Sequence, residues 1–184
     1  MKHITFIAVF LMTLSTHAWA EKENTLKNAI NEVDANVVFM RHAMAPGFGD
    51  PDNFSLSDCS FQRNLNKNGK KQARAIGVSI YKSGVRFNEV LSSEWCRCKE
   101  TTELLNIGDW KTFSGLNSFF QGYADRAIIL RELDLKLKKV RDGVTLMVTH
   151  QVVISAVTGA SISSGELIAY NSVSKAKKVF RLDE

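Results

Sequence analysis

The chain reads as an α/β protein, a three-layer α/β/α domain with a mostly parallel central sheet, and three observations predict it. Two short, continuous apolar runs, Asn36 to Met40 and Val144 to Val148, have the composition of strands buried on both faces. The segments between and after them repeat their apolar residues at helical spacing, so strand and helix alternate. Both apolar runs also lead directly into a histidine, His42 and His150. That placement suits the carboxyl ends of strands in an open α/β sheet, where ligands bind.

Taken in order, the first residues form a leader rather than an element of the domain. Lys2 precedes an apolar run from Ile4 to Leu14, and Ala18-Trp19-Ala20 supplies a small-x-small cleavage pattern, the signature of a secretory signal peptide. The run is too short to span a bilayer, which takes about 20 residues. Residues 1–20 are therefore expected to be removed, and residues 21–184 to make one domain without stable membrane insertion. The first strand, Asn36 to Met40, is followed by a long non-helical stretch from Ala43 to Asn64 that holds both prolines, Pro46 and Pro51. Loops beyond about 12 to 15 residues are uncommon in compact domains unless they bind something, so this one is expected to face substrate.

A helix is predicted over Lys67 to Tyr81, where Ala73, Ile76 and Ile80 share one face. A strand at Glu89 to Ser92 leads into a helix at Lys99 to Leu105, and a further strand falls near Trp110 to Phe113. A helix over Ala127 to Val140 carries Ile128, Leu130, Leu133 and Leu137. After the second buried strand a helix starts beyond His150. Two late strands, Glu166 to Tyr170 and Lys175 to Leu182, are expected to form an antiparallel edge. The aromatics Phe48, Phe54, Phe119 and Phe120 either wall the pocket or pack the core, and packing is the expectation, since large aromatics usually do that.

Composition narrows the partners. The formal charge of +5 falls by one with Lys2, and the excess is spread thinly, without the clustered basic stripe that nucleic-acid binding needs. Export to an oxidising compartment makes one disulfide expected among Cys59, Cys96 and Cys98, with Cys59 bridging to one of the other two. Too few further cysteines and histidines exist to build a zinc site around Cys96-x-Cys98.

Four residues carry the candidate chemistry. His3 and His17 depart with the leader, leaving His42 and His150. Arg41 arrives with the first, and Arg97 follows the third strand through Ser92-Ser93-Glu94-Trp95-Cys96. Two guanidiniums and two imidazoles near one point suit a tetrahedral dianion, because the planar arginine fork matches phosphate and the helix after His150 adds backbone N–H groups. The expected ligand is a phosphoryl group. Gln62, Arg63 and Asn64 stand between the long loop and the helix and serve either as caps or as substrate contacts.

At these residues the chain resembles the histidine phosphatase superfamily, the phosphoglycerate mutase-like proteins. Val38-Phe39-Met40-Arg41-His42-Ala43 resembles its Arg-His-Gly signature, with Ala43 in place of glycine. Leu65 to Ala73 resembles its Leu-Thr-x-x-Gly-x-x-Gln-Ala helix start, and Ser92-Ser93 with Arg97 and Thr101-Thr102 resembles its Ser-Ser/Pro-x-x-Arg-x-x-x-Thr block. Val148-Thr149-His150-Gln151 resembles its late Thr-His-Gly block, with Gln151 in place of glycine. The exported bacterial branch that includes lipopolysaccharide core heptose phosphatase is more similar than the cytoplasmic mutases, because the chain is short and carries a leader.

The resemblance implies a periplasmic or secreted phosphatase that needs no metal or cofactor and acts on a small-molecule or envelope-linked phosphate ester. A ring nitrogen of His42 would attack phosphorus, a phosphohistidine would form, and water would release phosphate. Arg41, Arg97 and His150, with Gln151 and Arg63 as substrate contacts, would stabilise the phosphoryl oxygens. Neighbouring positive charge would hold His42 neutral, below its usual pKa of about 6.5. Many relatives place a carboxylate after the middle strand as general acid, whereas Gly115 to Phe120 has none. Glu94, Asp58 and Asp125 are substitutes by residue type only. A phosphate-binding protein with little or no turnover is therefore the alternative.

Overall fold

The computed structural model describes residues 25–140 and 142–182; the leader expected at residues 1–20 lies outside them. A first helix, α1 (Thr25–Glu32), which the sequence reading did not anticipate, buries Leu26 and Ala29. The strand β1 (Val37–Arg41) follows, then the long loop, which contains one 3-10 turn at Cys59–Phe61. Next come α2 (Lys67–Ser83), β2 (Glu89–Ser92), α3 (Cys96–Leu105) and a two-residue β3 (Lys111–Thr112). The chain continues through α4 (Arg126–Leu137), β4 (Thr145–Thr149), α5 (Gln151–Thr158), β5 (Leu167–Tyr170) and β6 (Lys177–Phe180).

The sheet has the order β3-β2-β4-β1-β5-β6. Its first four strands run parallel, and β5 pairs antiparallel with both β1 and β6, so the late pair closes one edge as expected. The central strands β1 and β4 are buried along nearly their whole length. Alternate residues face opposite layers, as strand geometry requires. Val38, Met40, Val90, Leu146 and Val148 pack with Leu26, Ile76, Ile80 and Leu105 of α1, α2 and α3. Val37, Phe39, Leu91 and Met147 pack with Leu133, Leu137, Val153 and Ile154 of α4 and α5. These two cores make the three layers.

Register positions the site. Arg41 pairs with Thr149 across β1 and β4, and the His42 amide then donates to the Thr149 carbonyl at 3.0 Å. The two histidines that follow these strands therefore leave the sheet side by side at the same level. Ser92 pairs with Val148, which delivers the turn into α3 to the same rim.

The sequence block at the start of α2 now has a physical reading. Asn66 caps the helix by accepting from the Gly69 amide at 2.8 Å. A Cβ on Gly69 would stand 2.0 Å from the Met44 carbonyl oxygen, so only glycine lets α2 approach the segment after His42. Gln72 then accepts from the Met44 amide at 3.0 Å and donates to the Ser164 carbonyl at 3.1 Å. From α3, the Thr101 hydroxyl accepts from the Ala43 amide at 3.1 Å. Helices α2 and α3 thus clamp the backbone that carries His42.

Candidate active site

His42, Arg41, Arg97, His150, Arg63 and Gln151 all line one cavity of about 240 Å³ at the carboxyl end of the sheet. The imidazoles of His42 and His150 are buried, with ring centroids 5.5 Å apart in an edge arrangement. The His42 Nδ1 lies 2.8 Å from the carbonyl oxygen of Ala43. A carbonyl only accepts, so Nδ1 carries the proton and Nε2 keeps the free lone pair. Burial, reinforced first by Arg97, holds His42 well below its ordinary pKa. The same causes, with His42 added, act on His150. Both rings are neutral at neutral pH.

His150 is oriented through its other edge. Arg97 Nη2 donates toward His150 Nδ1 at 3.4 Å, which assigns the proton to Nε2, and Nε2 then donates to Ser93 Oγ at 2.9 Å. Ser93 Oγ passes its hydrogen to Asn117 Oδ1 at 3.1 Å, an oxygen that also accepts from the Glu94 amide at 2.9 Å. Asn117 comes from the segment where the resemblance led one to expect a carboxylate. Its amide braces the Ser93–His150 pair.

Arg97 is held by a residue that the sequence reading passed over. Asp50, buried in the long loop, accepts from Arg97 Nη1 at 2.7 Å and Nη2 at 3.1 Å. It also accepts from the Trp95 indole at 3.1 Å and the Arg63 amide at 3.0 Å. Burial alone would raise its carboxyl, but the hydrogen bonds and charge of Arg97 outweigh that and hold it below the usual range. No motif marks this aspartate. The only prior signal was the shaped loop around Pro46 and Pro51.

The electrostatic balance of the cavity is positive. Arg41, Arg63 and Arg97 face one bonded carboxylate, Asp50, an excess of two charges. Burial and repulsion from Arg97 lower the pKa of both Arg41 and Arg63. Two buried donors, Arg41 Nε and Arg97 Nε, have no acceptor among the described residues, a costly state in protein interiors. The first turn of α5, where Gln151 and Val152 line the cavity, adds the positive end of a helix.

Other expected residues fall elsewhere. Asp58 caps the 3-10 turn by accepting from Ser60, and Asp125 caps α4 by accepting from the Ile128 amide at 2.9 Å; both are exposed. The Glu94 carboxylate accepts from Asn117 Nδ2 at 2.5 Å. None of the three lines the cavity. Gln62 braces the loop through Ser55, Leu56 and Cys96, and Asn64 bonds the Cys59 carbonyl at 2.6 Å. Cys59 pairs with Cys96, while Cys98 is free and buried, its thiol pushed up to about 12 by burial. Phe54 stacks on Trp95 and Tyr123, and Phe119 packs on the α4–α5 core, as expected. Phe48 and Phe120 do not; both stand at the cavity.

No family profile and no curated protein sequence matches the chain. Solved structures do. One of protein histidine phosphatase SixA complexed with tungstate is similar over 78% of this chain and 93% of its own, at 17% identity and a TM-score of 0.51. A phosphoserine phosphatase from Entamoeba histolytica, in complex with 3-phosphoglyceric acid, is similar over 80% and 96%, at 10% identity and a TM-score of 0.54. The fold is that of the histidine phosphatases. The register of β1 with β4 brings Arg41, His42 and His150 to one rim of the sheet. A candidate SixA phosphohistidine phosphatase from Agrobacterium tumefaciens is similar over 78% of this chain and 94% of its own, at 19% identity and a TM-score of 0.54. Among the described residues no helix is long and apolar enough to cross a membrane.

Proposed function

We propose that this protein is an exported, metal-independent phosphatase that hydrolyses phosphate monoesters through a phosphohistidine on His42. The observation that carries this reading is the free Nε2 lone pair of a neutral, buried His42 in a cavity lined by three arginines and one arginine-bonded carboxylate, an excess of two positive charges. A phosphate dianion supplies the missing negative charge. The tungstate complex of SixA, a tetrahedral oxyanion in a protein of the same fold, supports the choice of ligand. The Cys59–Cys96 disulfide and the leader pattern support export.

In the first step Nε2 attacks phosphorus in line, the P–N bond forms, and the P–O ester bond breaks with its electron pair leaving on the ester oxygen. Proton-bearing Nδ1, bonded to the Ala43 carbonyl, stabilises the charge that develops on the ring. Arg41, Arg97, Arg63 and the start of α5 stabilise the phosphoryl oxygens, so positioning and electrostatics carry the reaction. In the second step water attacks phosphorus, the P–N bond breaks, and inorganic phosphate leaves with His42 again neutral. A second reading, phosphate binding with little turnover, is favoured because no Asp or Glu among the described residues lines the cavity.

The test is hydrolysis of p-nitrophenyl phosphate by the mature protein with EDTA, beside His42→Ala. EDTA-resistant activity that falls at least about 10³-fold in the variant supports the mechanism, since losing a nucleophile costs that order. Phosphate that raises the melting temperature while neither protein turns over substrate supports the binding reading. Equal activity in both proteins refutes the role of His42.

A further inference from the structure

We infer that the site selects phosphate esters whose phosphate is attached to, or one carbon away from, an aromatic ring, with Phe48 and Phe120 as the residues that receive the ring. This inference rests on the phosphatase reading above and adds the substrate class. The cavity is layered: His42, Arg97 and His150 are buried at its floor, whereas Phe48 is 89% exposed and Phe120 37% exposed. Their rings meet edge to face, with centroids 5.2 Å apart. One exposed apolar side chain means little by itself, but two aromatic rings in contact at the mouth of a cavity form a contiguous apolar surface of the kind that receives a ligand.

The loop is built to hold that ring out. Phe48 lies between Gly47 at φ +96° and Gly49 at φ +70°, left-handed conformations that an L side chain rarely adopts. Gln121 then locks the loop by accepting from the Asp50 amide at 2.7 Å and donating to the Asp50 carbonyl at 3.2 Å. The pose of Phe48 is thus set by backbone geometry and hydrogen bonds.

Of the polar side chains around the mouth, Gln151 and Arg63 are already engaged by the protein, and Ser118 Oγ accepts from the Phe120 amide at 3.3 Å. Gln151 donates to Ser161 Oγ at 3.1 Å and accepts from the Ile162 amide at 2.9 Å. Arg63 donates from Nε to the Gly49 carbonyl at 2.8 Å and from Nη1 to the Ala45 carbonyl. A polyhydroxylated substrate finds few free partners there, while a ring finds two aromatic faces and edges. For the esters attached directly to the ring, the chemistry of the leaving group agrees. Among the described residues no Asp or Glu lines the cavity to protonate a leaving oxygen, and a phenoxide, with a conjugate acid of pKa about 10, departs without one far more readily than an alkoxide.

Three substrates separate these effects: phenyl phosphate, benzyl phosphate and glycerol 2-phosphate. Benzyl and glycerol phosphates share an alkoxide leaving group, so a KM about tenfold lower for benzyl phosphate reads the ring contact alone. A kcat higher for phenyl than for benzyl phosphate reads the leaving group. In Phe48→Ala the benzyl-to-glycerol KM advantage should shrink to less than about threefold, with an unchanged melting temperature because the side chain is exposed. Equal KM values in the wild type, or an advantage that survives Phe48→Ala, overturns the inference while leaving the phosphatase reading intact. Inactivity towards all three sinks the phosphatase reading instead. In that case phenylphosphonate must still raise the melting temperature more than methylphosphonate does, or the ring site fails as well.

Discussion

Replacing Asp50 by alanine tests the architecture of the site most directly. The Asp50 and Arg97 side chains are each only 4% exposed and are joined by two hydrogen bonds at 2.7 and 3.1 Å. Removing the carboxylate strands a buried guanidinium and also leaves the Trp95 indole and the Arg63 amide without their acceptor. Breaking a buried pair from one side costs about 3–5 kcal/mol, a large share of the 5–15 kcal/mol that domains typically have. With a urea slope of about 2 kcal/mol per molar, the unfolding midpoint should fall by roughly 1.5–2.5 M. The double variant Asp50→Ala with Arg97→Met should lose less than Asp50→Ala alone, because no unpaired charge remains. A single variant within about 0.3 M of the wild type, or a double variant that loses the sum of both single changes, would refute the assigned role of the pair.

Two further predictions concern stability. His42 and His150 are held neutral in the fold by burial, below the value of 6.5 to which they return on unfolding. As pH falls below 6.5 the unfolded chain binds protons that the folded chain does not, so stability drops, by up to about 1.4 kcal/mol per pH unit for each ring. Urea midpoints between pH 7.5 and 5 should show this fall, and His150→Asn should remove about half of its slope; a flat profile contradicts the neutral assignment. The Cys59–Cys96 bridge closes a separation of 37 residues, worth about 4 kcal/mol in the chain-entropy account. The double variant Cys59→Ser with Cys96→Ser should therefore unfold at a midpoint about 2 M lower and lose activity, since the bridge anchors the long loop beside Arg97. An unchanged midpoint would show that the loop is held without it.

The layered fold was legible because its causes are local. Continuous apolar runs mark β1 and β4, the spacing of Ala73, Ile76 and Ile80 marks α2, and the two late strands close the edge as their composition implied. The helix α1 escaped notice because it is only 8 residues long, shorter than the window of about 11–18 residues over which a helical period is judged. The histidines and arginines were visible for a related reason. Each ends or directly follows a strand or opens the next helix, so predicting the strand also predicts where its end delivers the side chain.

The partners of those side chains could not be read in the same way. Asp50 meets Arg97 across 47 positions and Asn117 meets Ser93 across 24, through loops whose paths no periodicity encodes. The exposure of Phe48 depends on left-handed glycines and on Gln121, more than 70 positions away. Residue type alone left Phe48 between the pocket wall and the core, with the core favoured. By itself the sequence determined the layers, the strand ends and the residues placed on them, because strand burial and helix period are properties of neighbouring residues. Only the tertiary structure decided which carboxylate holds Arg97, which imidazole nitrogen of His42 is free and which aromatics stand at the mouth, because those depend on contacts between segments far apart in the chain.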